Sequence, residues 1–370
     1  MLTLSRGAVC RICQSPLLNA WRTGEQLCWE CGLSDELFHP HKRWIAASDD
    51  PRPAAKIGQP RSKNGGTSTR STWHAILRLG LKVLAAIAPS ATEELGARRF
   101  FTPRRAPRST AVPAISNLGA TSFRFSLGED EIACWSWGRG PTVMLVHGWE
   151  GYAAQLIHFV QPLVNAGFRV VTFDMPAHGS STGQWLSGYD MARAIRAVSQ
   201  IFTPVRGVIA HSLGGTASII ALSEGLQVER AVLFAPAAEP GHFARVLASQ
   251  LGLSNVHVAG MLKRIENRLG ISLREASALR IVPRMTVPVL VMHDPLDAEV
   301  PFEQGRRIAE AWPGARLQLL HQMGHRRMLR DPKVIDAATA FMADENAKDA
   351  VGLTPIRQSN SLAAVTAWPP

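Results

Sequence analysis

The chain lacks any apolar run long enough to cross a bilayer. A spanning helix needs about 18 or more apolar residues, and the longest stretch available, Ala75 to Ala88, is broken by Arg78 and Lys82. The first residues, MLTLSRGAVC, lack the apolar core and cleavage site of a secretory leader, so a cytoplasmic location is expected. No internal repeat is present, which argues against solenoid and propeller arrays. Cysteine is scarce, with five in 370 residues. Without an export signal these thiols are not expected to pair as disulfides. Acidic residues are scarce in the first 110 positions, where 17 Lys and Arg face 8 Asp and Glu, a balance of +9. The remainder holds 23 against 21, or +2, so the net charge of +11 belongs mostly to the N-terminal third. Such an excess fits a protein or nucleic-acid partner, or an anionic surface. The simpler reading is a solvated basic linker.

What is present is enough for a sizeable core: 46% of the residues are hydrophobic, over a length that allows one large domain or two. Four of the five cysteines fall as Cys10-x2-Cys13 and Cys28-x2-Cys31, with fourteen residues between the pairs. Two knuckles of two thiolates each complete a tetrahedral zinc site, and metal can stabilise a segment too short for a core of its own. An iron–sulfur cluster is the competing four-cysteine reading. A thioredoxin-like redox pair lacks the βαβ unit it needs. The segment resembles a zinc ribbon, and a closed four-cysteine site is structural rather than catalytic. Cys134 stands in a strand-like run and is expected to be a buried apolar residue.

The domain organisation follows from composition. Residues 1–45 read as the zinc-ribbon-like module and 46–72 as a flexible basic linker. Residues 73–345 read as one α/β domain and 346–370 as a disordered tail. Within the domain, His74 to Ala88 has helical spacing and is expected to end at Pro89, and Phe100 to Pro113 reads as an extended, basic lead-in. Thr121–Leu127 and Ile132–Trp137 predict an antiparallel hairpin across Gly128-Glu129-Asp130. Six further short apolar runs, separated mostly by helical patterns, predict a largely parallel sheet with helices on both faces. About fifty residues, 239–286 and their flanks, interrupt this alternation and predict a short helical cap, since so long a loop is implausible without structure.

The most informative stretch is VIAHSLGG, Val208 to Gly215. An apolar strand runs into Ser212 and then into small residues, as a strained strand-to-helix turn requires. Alanine stands at position 210, where glycine is commonest. Downstream, VPVLVMHDPLDAEVP carries Asp294 and Asp297, and LQLLHQMGHRRM carries Gly324-His325. Upstream, TVMLVHGW ends a buried-strand run with His147-Gly148-Trp149.

These landmarks, together with the Phe173-Asp174-Met175-Pro176-Ala177-His178-Gly179 turn, resemble the α/β-hydrolase superfamily in its serine esterase and lipase-like branch. The resemblance covers about 270 residues, from Trp73 to Ala343. It implies Ser212 as nucleophile, His325 as base and Asp297 as the acid that orients it, in the order Ser, Asp, His. It implies that the backbone N–H groups of Trp149 and Leu213 form the oxyanion hole. Asp297 is preferred to Asp294 because Val300-Pro301 closes its turn in the family manner; Glu239 is a remoter candidate. His147, Asp174 and His178 are expected to hold loops, and His211 to pack under the turn. Trp149, Trp185 and several methionines are candidates for an apolar pocket, or simply for core. Related families that cleave haloalkanes or epoxides use aspartate where Ser212 stands. A carboxylic ester, thioester or amide hydrolase acting on a small-molecule acyl substrate is therefore expected. Catalysis itself needs no cofactor. The alternative is a partner-binding protein that uses the zinc module beside a non-catalytic hydrolase-like scaffold.

Overall fold

A computed structural model describes residue 80, residues 86–105, residue 115 and residues 118–343, together with the backbone of four N-terminal strands. Those strands are β1 (Leu2–Val9), β2 (Pro16–Ala20), β3 (Gln26–Cys28) and β4 (Ile45–Ala46). They form an antiparallel sheet in the order β3-β2-β1-β4. Cys10, Cys13, Cys31 and the side chain of Cys28 lie outside the described residues, and so do the expected linker and tail.

The stretch ahead of the main sheet corrects part of the sequence reading. Gly80, Ala86 and Ile87 are helical and Ala88 is not, so helix stops ahead of Pro89 as expected. Pro89 then opens α1 (Pro89–Phe101) from its first turn, where the missing N–H costs nothing and the fixed φ suits the helix. Phe100 and Phe101, expected in an extended lead-in, form its last turn.

Next comes the hairpin β5 (Thr121–Leu127) and β6 (Asp130–Trp137), paired antiparallel. Gly128, at φ 66°, supplies the left-handed backbone of its turn. The rest alternates strand and helix. β7 (Thr142–Val146), α2 (Val160–Asn165), β8 (Arg169–Phe173), α3 (Gly188–Ile201), β9 (Val205–His211), α4 (Leu213–Ser223) and β10 (Arg230–Phe234) follow in order. The expected cap is helical: α5 (Pro240–Gln250) and α6 (Asn255–Leu269), then two short 3-10 turns. β11 (Val289–His293), α7 (Phe302–Ala311), β12 (Arg316–Leu319), α8 (Gly324–Arg327) and α9 (Pro332–Ala343) complete the domain.

The eight-stranded sheet has the order β12-β11-β10-β9-β7-β8-β6-β5 and is parallel from β12 to β8. β7, β10 and β11 are buried at every position, as strands covered on both faces must be. Two apolar clusters fill the two faces, one around Met144, Ile195 and Leu233, the other around Leu145, Phe159 and Phe234. Cys134 is buried in the first, and burial raises its thiol pKa. A third, smaller cluster joins α1 to the cap through Ala97, Phe101, Ala248, Met261 and Ile265. α3 starts on a capping box: Ser187 Oγ accepts from the Asp190 N–H at 3.3 Å, and the Ser187 N–H donates to the Asp190 carboxylate at 2.8 Å. Among the described residues no helix is long and apolar enough to cross a membrane.

The strand order also places an opening in the sheet. After β7 the chain moves to β8 on one side and then returns to β9 on the other. The carboxyl ends of β7 and β9 therefore flank a topological switch point, where open α/β sheets leave a crevice.

Candidate active site

At that crevice β9 runs into α4 through one residue. Ser212 has φ 56° and ψ −125°, a backbone conformation that costs about 1–3 kcal/mol and persists only when its surroundings enforce it. The enforcement is visible. The Ser212 N–H donates to the Phe234 carbonyl at 2.8 Å, and the Gly215 N–H donates to the Ser212 carbonyl at 2.9 Å. A Cβ on Gly214 would run into the His147 carbonyl oxygen, and one on Gly148 would stand 2.9 Å from Ser212 Cβ. The two crossing chains thus touch through glycine on each side. Ala210 is buried, so its methyl group is accommodated within the strand.

The turn after β11 carries both candidate aspartates, and the structure separates them. Asp297 Oδ2 accepts from His325 Nδ1 at 2.7 Å, while its Oδ1 accepts from the N–H groups of Glu299 and Val300. Asp294 instead accepts from the backbone N–H groups of Leu296 at 2.8 Å, Gly324 at 2.6 Å and Met323. It fastens the loop that presents His325. Burial would raise the Asp297 pKa, but bonds from His293 and His325 outweigh it and hold the carboxyl well below the usual range. With Nδ1 donating to an ionised carboxylate, the neutral ring of His325 keeps its lone pair on Nε2. Glu239 takes no part; it pairs with Arg307 at 3.3 Å.

Ser212 and His325 make no hydrogen bond with each other among the described residues. His211 brings their loops together. It adjoins Ser212 in sequence, its ring centroid is 4.4 Å from that of His325, and its Nε2 donates to the His325 carbonyl at 2.9 Å. Burial and the nearness of His325 hold its pKa well below the ordinary value, so the ring is neutral.

The loop after β7 holds the Trp149 amide. His147 is buried; its Nε2 accepts from the Met175 N–H at 3.0 Å, so Nδ1 carries the proton and donates to the Gly148 carbonyl at 2.7 Å. His178 Nε2 accepts from the Glu150 N–H at 3.0 Å, and its Nδ1 donates to the Pro176 carbonyl at 2.9 Å. Burial lowers His147 to about 4; burial and the neighbouring His147 lower His178 to about 3. Asp174 accepts from the N–H groups of Ala153 and Ser180, both at 2.7 Å. These three side chains hold loops, as expected. The N–H groups of Trp149 and Leu213 donate no hydrogen bond among the described residues.

Three features were missed in the sequence. His293, the last residue of β11, is fully buried; its Nε2 lies 3.1 Å from the Val300 carbonyl and 3.5 Å from Asp297 Oδ2. Both neighbours accept, so Nε2 carries a proton toward the aspartate. Its only signal was a histidine ending an otherwise apolar strand. The second is Glu150, at φ 55°, which binds Arg99 at 3.0 Å and Arg104 at 2.8 Å. Burial opposes its ionisation, but the bonds from Arg104 and Arg99 prevail and lower its pKa. The third is α1 itself, which carries Arg99 and leads directly to Arg104.

Between the cap and the sheet lies a mostly apolar cavity of about 300 Å³ that reaches Ser212, Leu213 and Trp149. Trp185 is not part of its wall; it is exposed and meets Phe101 edge-on at 6.4 Å. Among the described residues no methionine lines it.

Comparison with known proteins agrees with this architecture. A non-heme chloroperoxidase from Kitasatospora aureofaciens is 34% identical over 89 residues, 23% of this chain, and the chain spans about a third of that protein's length (32%). An AB hydrolase superfamily protein from Bacillus subtilis, YisY, is 21% identical over 55% of this chain and 91% of its own length. The structure of a membrane phospholipase A described as a bacterial virulence factor superposes with a TM-score of 0.50 at 16% identity, over 74% of this chain and 98% of that one. It shows the fold alone. The family model for the alpha/beta hydrolase family matches residues 143–338, just over half of the chain, and the chain belongs to that family.

Proposed function

We propose that this protein is a serine hydrolase that cleaves a carboxylic ester, thioester or amide through an acyl-enzyme. One observation carries the reading. His325 is held on Asp297 by its Nδ1, on a loop that His211 joins to the strained turn bearing Ser212. In the first half-reaction Ser212 Oγ attacks the acyl carbon while His325 Nε2 takes the hydroxyl proton. The oxyanion accepts from the N–H groups of Trp149 and Leu213, each worth about 3 kcal/mol in a preorganised site. The bond to the leaving group breaks, and His325 returns the proton to it. In the second half-reaction water attacks the acyl-enzyme, His325 takes a water proton and passes it to Ser212 Oγ, and the carboxylic acid leaves. Asp297 stays ionised throughout and stabilises the imidazolium. The structural zinc expected at Cys10, Cys13, Cys28 and Cys31 has no part in this chemistry; metal analysis of the full chain, expected to give about one ion per chain, tests it.

Fluorophosphonate labelling tests the catalytic reading. The wild type should be labelled and should hydrolyse p-nitrophenyl esters, and Ser212→Ala should lose both. A wild type inert to the label, or a variant with unchanged turnover, would overturn the assignment; the former would favour the scaffold alternative.

A further inference from the structure

The cavity over Ser212 has a side, and the side says which half of the substrate it holds. Its wall includes Ser212 and the two residues whose amides are proposed as the oxyanion donors, but neither His325 nor Asp297. A leaving group must lie against His325 to receive its proton, whereas the acyl group stays bonded to Ser212 and oriented by the oxyanion donors. The occupant of the cavity is therefore on the acyl side. Leu186, Ile220, Phe243, Leu247 and Leu269 make the wall apolar. Its charged residues sit together, with Arg99 and Arg104 both paired to Glu150. At about 300 Å³ the cavity holds roughly ten groups of water or methylene size, at ~30 Å³ each. Arg99 and Phe100 come from α1, outside the residues 143–338 that match the family.

We propose that this cavity is the acyl pocket of the enzyme and that it takes an apolar, medium-length acyl chain of about eight carbons, with the alcohol, thiol or amine portion lying outside it. This rests on Ser212 as nucleophile, so the test separates the two. Fluorophosphonate labelling of the full chain is measured first. Straight-chain p-nitrophenyl esters from acetate to palmitate are then compared, followed by butyrate esters of alcohols of increasing length. The value of kcat/KM should climb by up to about 4-fold per buried methylene. It should peak between six and ten carbons and fall for longer chains, with little dependence on alcohol length. Val246→Trp, at a partly exposed wall position, should move the optimum to shorter chains. Leu247→Ala should move it to longer ones. Both variants should keep the label and a cooperative thermal melt. Since Val246 is outside the core, a refolding failure of Leu247→Ala leaves the first variant to decide. A labelled enzyme whose acyl profile is flat or peaks at acetate, or whose selectivity follows the alcohol instead, overturns the acyl pocket and spares the nucleophile. Absence of labelling overturns both.

Discussion

The carboxyl edge of the sheet and the cap enclose the same cavity by different means. At the sheet edge, position is set by backbone and by buried polar atoms. Gly148 and Gly214 let two chains cross, Asp174 and Asp294 collect loop N–H groups, and His147, His178, His211 and His293 are buried where they touch backbone. The cap is held by a small apolar cluster and by partly exposed ion pairs from α1 to α6. The first kind of construction tolerates few substitutions, because each atom answers to a partner of fixed place. The second asks only for apolar volume and complementary charge, so it can be altered to change what the cavity admits. On the proposed function, the chemistry and the specificity are thereby separately adjustable within one domain.

The sharpest test of the sheet edge is Asp297→Asn. The Glu299 and Val300 N–H groups would hold the amide oxygen in the place of Oδ1, which turns the NH2 toward His325. The ring must then accept at Nδ1 and carry its proton on Nε2, the wrong tautomer for a base. We expect kcat to fall by about 10⁴-fold with the fold intact. A loss under about tenfold would move the acid elsewhere.

Next in size is a pair of glycines. Gly214→Ala would drive a methyl group into the carbonyl oxygens of His147 and Val146, backbone that cannot swing aside. It should cost about 2–4 kcal/mol in urea denaturation, at or above the usual range for overpacking. Gly241→Ala, in the first turn of α5, meets only Arg245 Nη1 at 3.3 Å and Leu273 Cβ at 3.8 Å. The flexible arginine end can give way, so this change should be neutral or stabilise by up to about 1 kcal/mol. Equal costs at the two positions would erase the contrast between the layers.

That contrast also explains what could be read in the sequence. The residues at the sheet edge are individually constrained, so Ser212 in its small-residue setting, the Asp297 turn and Gly324-His325 stood out as short patterns. The sheet was legible because strands buried on both faces, such as β11, are written as plain apolar runs. The cap was legible only as an insertion too long to be loop. The α1 helix was missed because a proline that ends one helix can also start the next, and its partner surface on α6 is not visible in the sequence. His293 was passed over because one histidine at a strand end carries no pattern; its meaning comes from Asp297, which folding brings to it.

The buried histidines make the sheet edge sensitive to pH in a defined direction. His178 lies near 3 in the folded protein and near the ordinary 6.5 unfolded. Below about 6.5 the unfolded chain takes up a proton that the folded one refuses until about 3. The stability this ring contributes is thus complete above 6.5 and is lost as pH falls across that window. His178→Gln keeps an acceptor for the Glu150 N–H and cannot be protonated. Between pH 7.5 and pH 5.5 the variant should lose about 1.4 kcal/mol less stability than the wild type. An unchanged slope would mean that His178 is not buried as a neutral ring.

The smallest effect belongs to the cap. Glu94 meets Arg98 at 2.7 Å within α1 and also reaches Arg264 at 3.7 Å and Arg268 on α6. Its side chain is 29% exposed, so water and salt compete for every one of these pairs. Glu94→Gln should therefore cost less than about 1 kcal/mol, and the difference should vanish near 1 M salt. Beneath it Met261 is fully buried, with its Sδ against Gly96 and its neighbours in the small cluster. Met261→Ala should cost about 2–5 kcal/mol at any salt concentration, because it removes packed volume rather than charge. If Glu94→Gln proved as costly as Met261→Ala and did not respond to salt, α1 would be held to the cap by buried charge after all. The cap would then be built as rigidly as the edge beneath it.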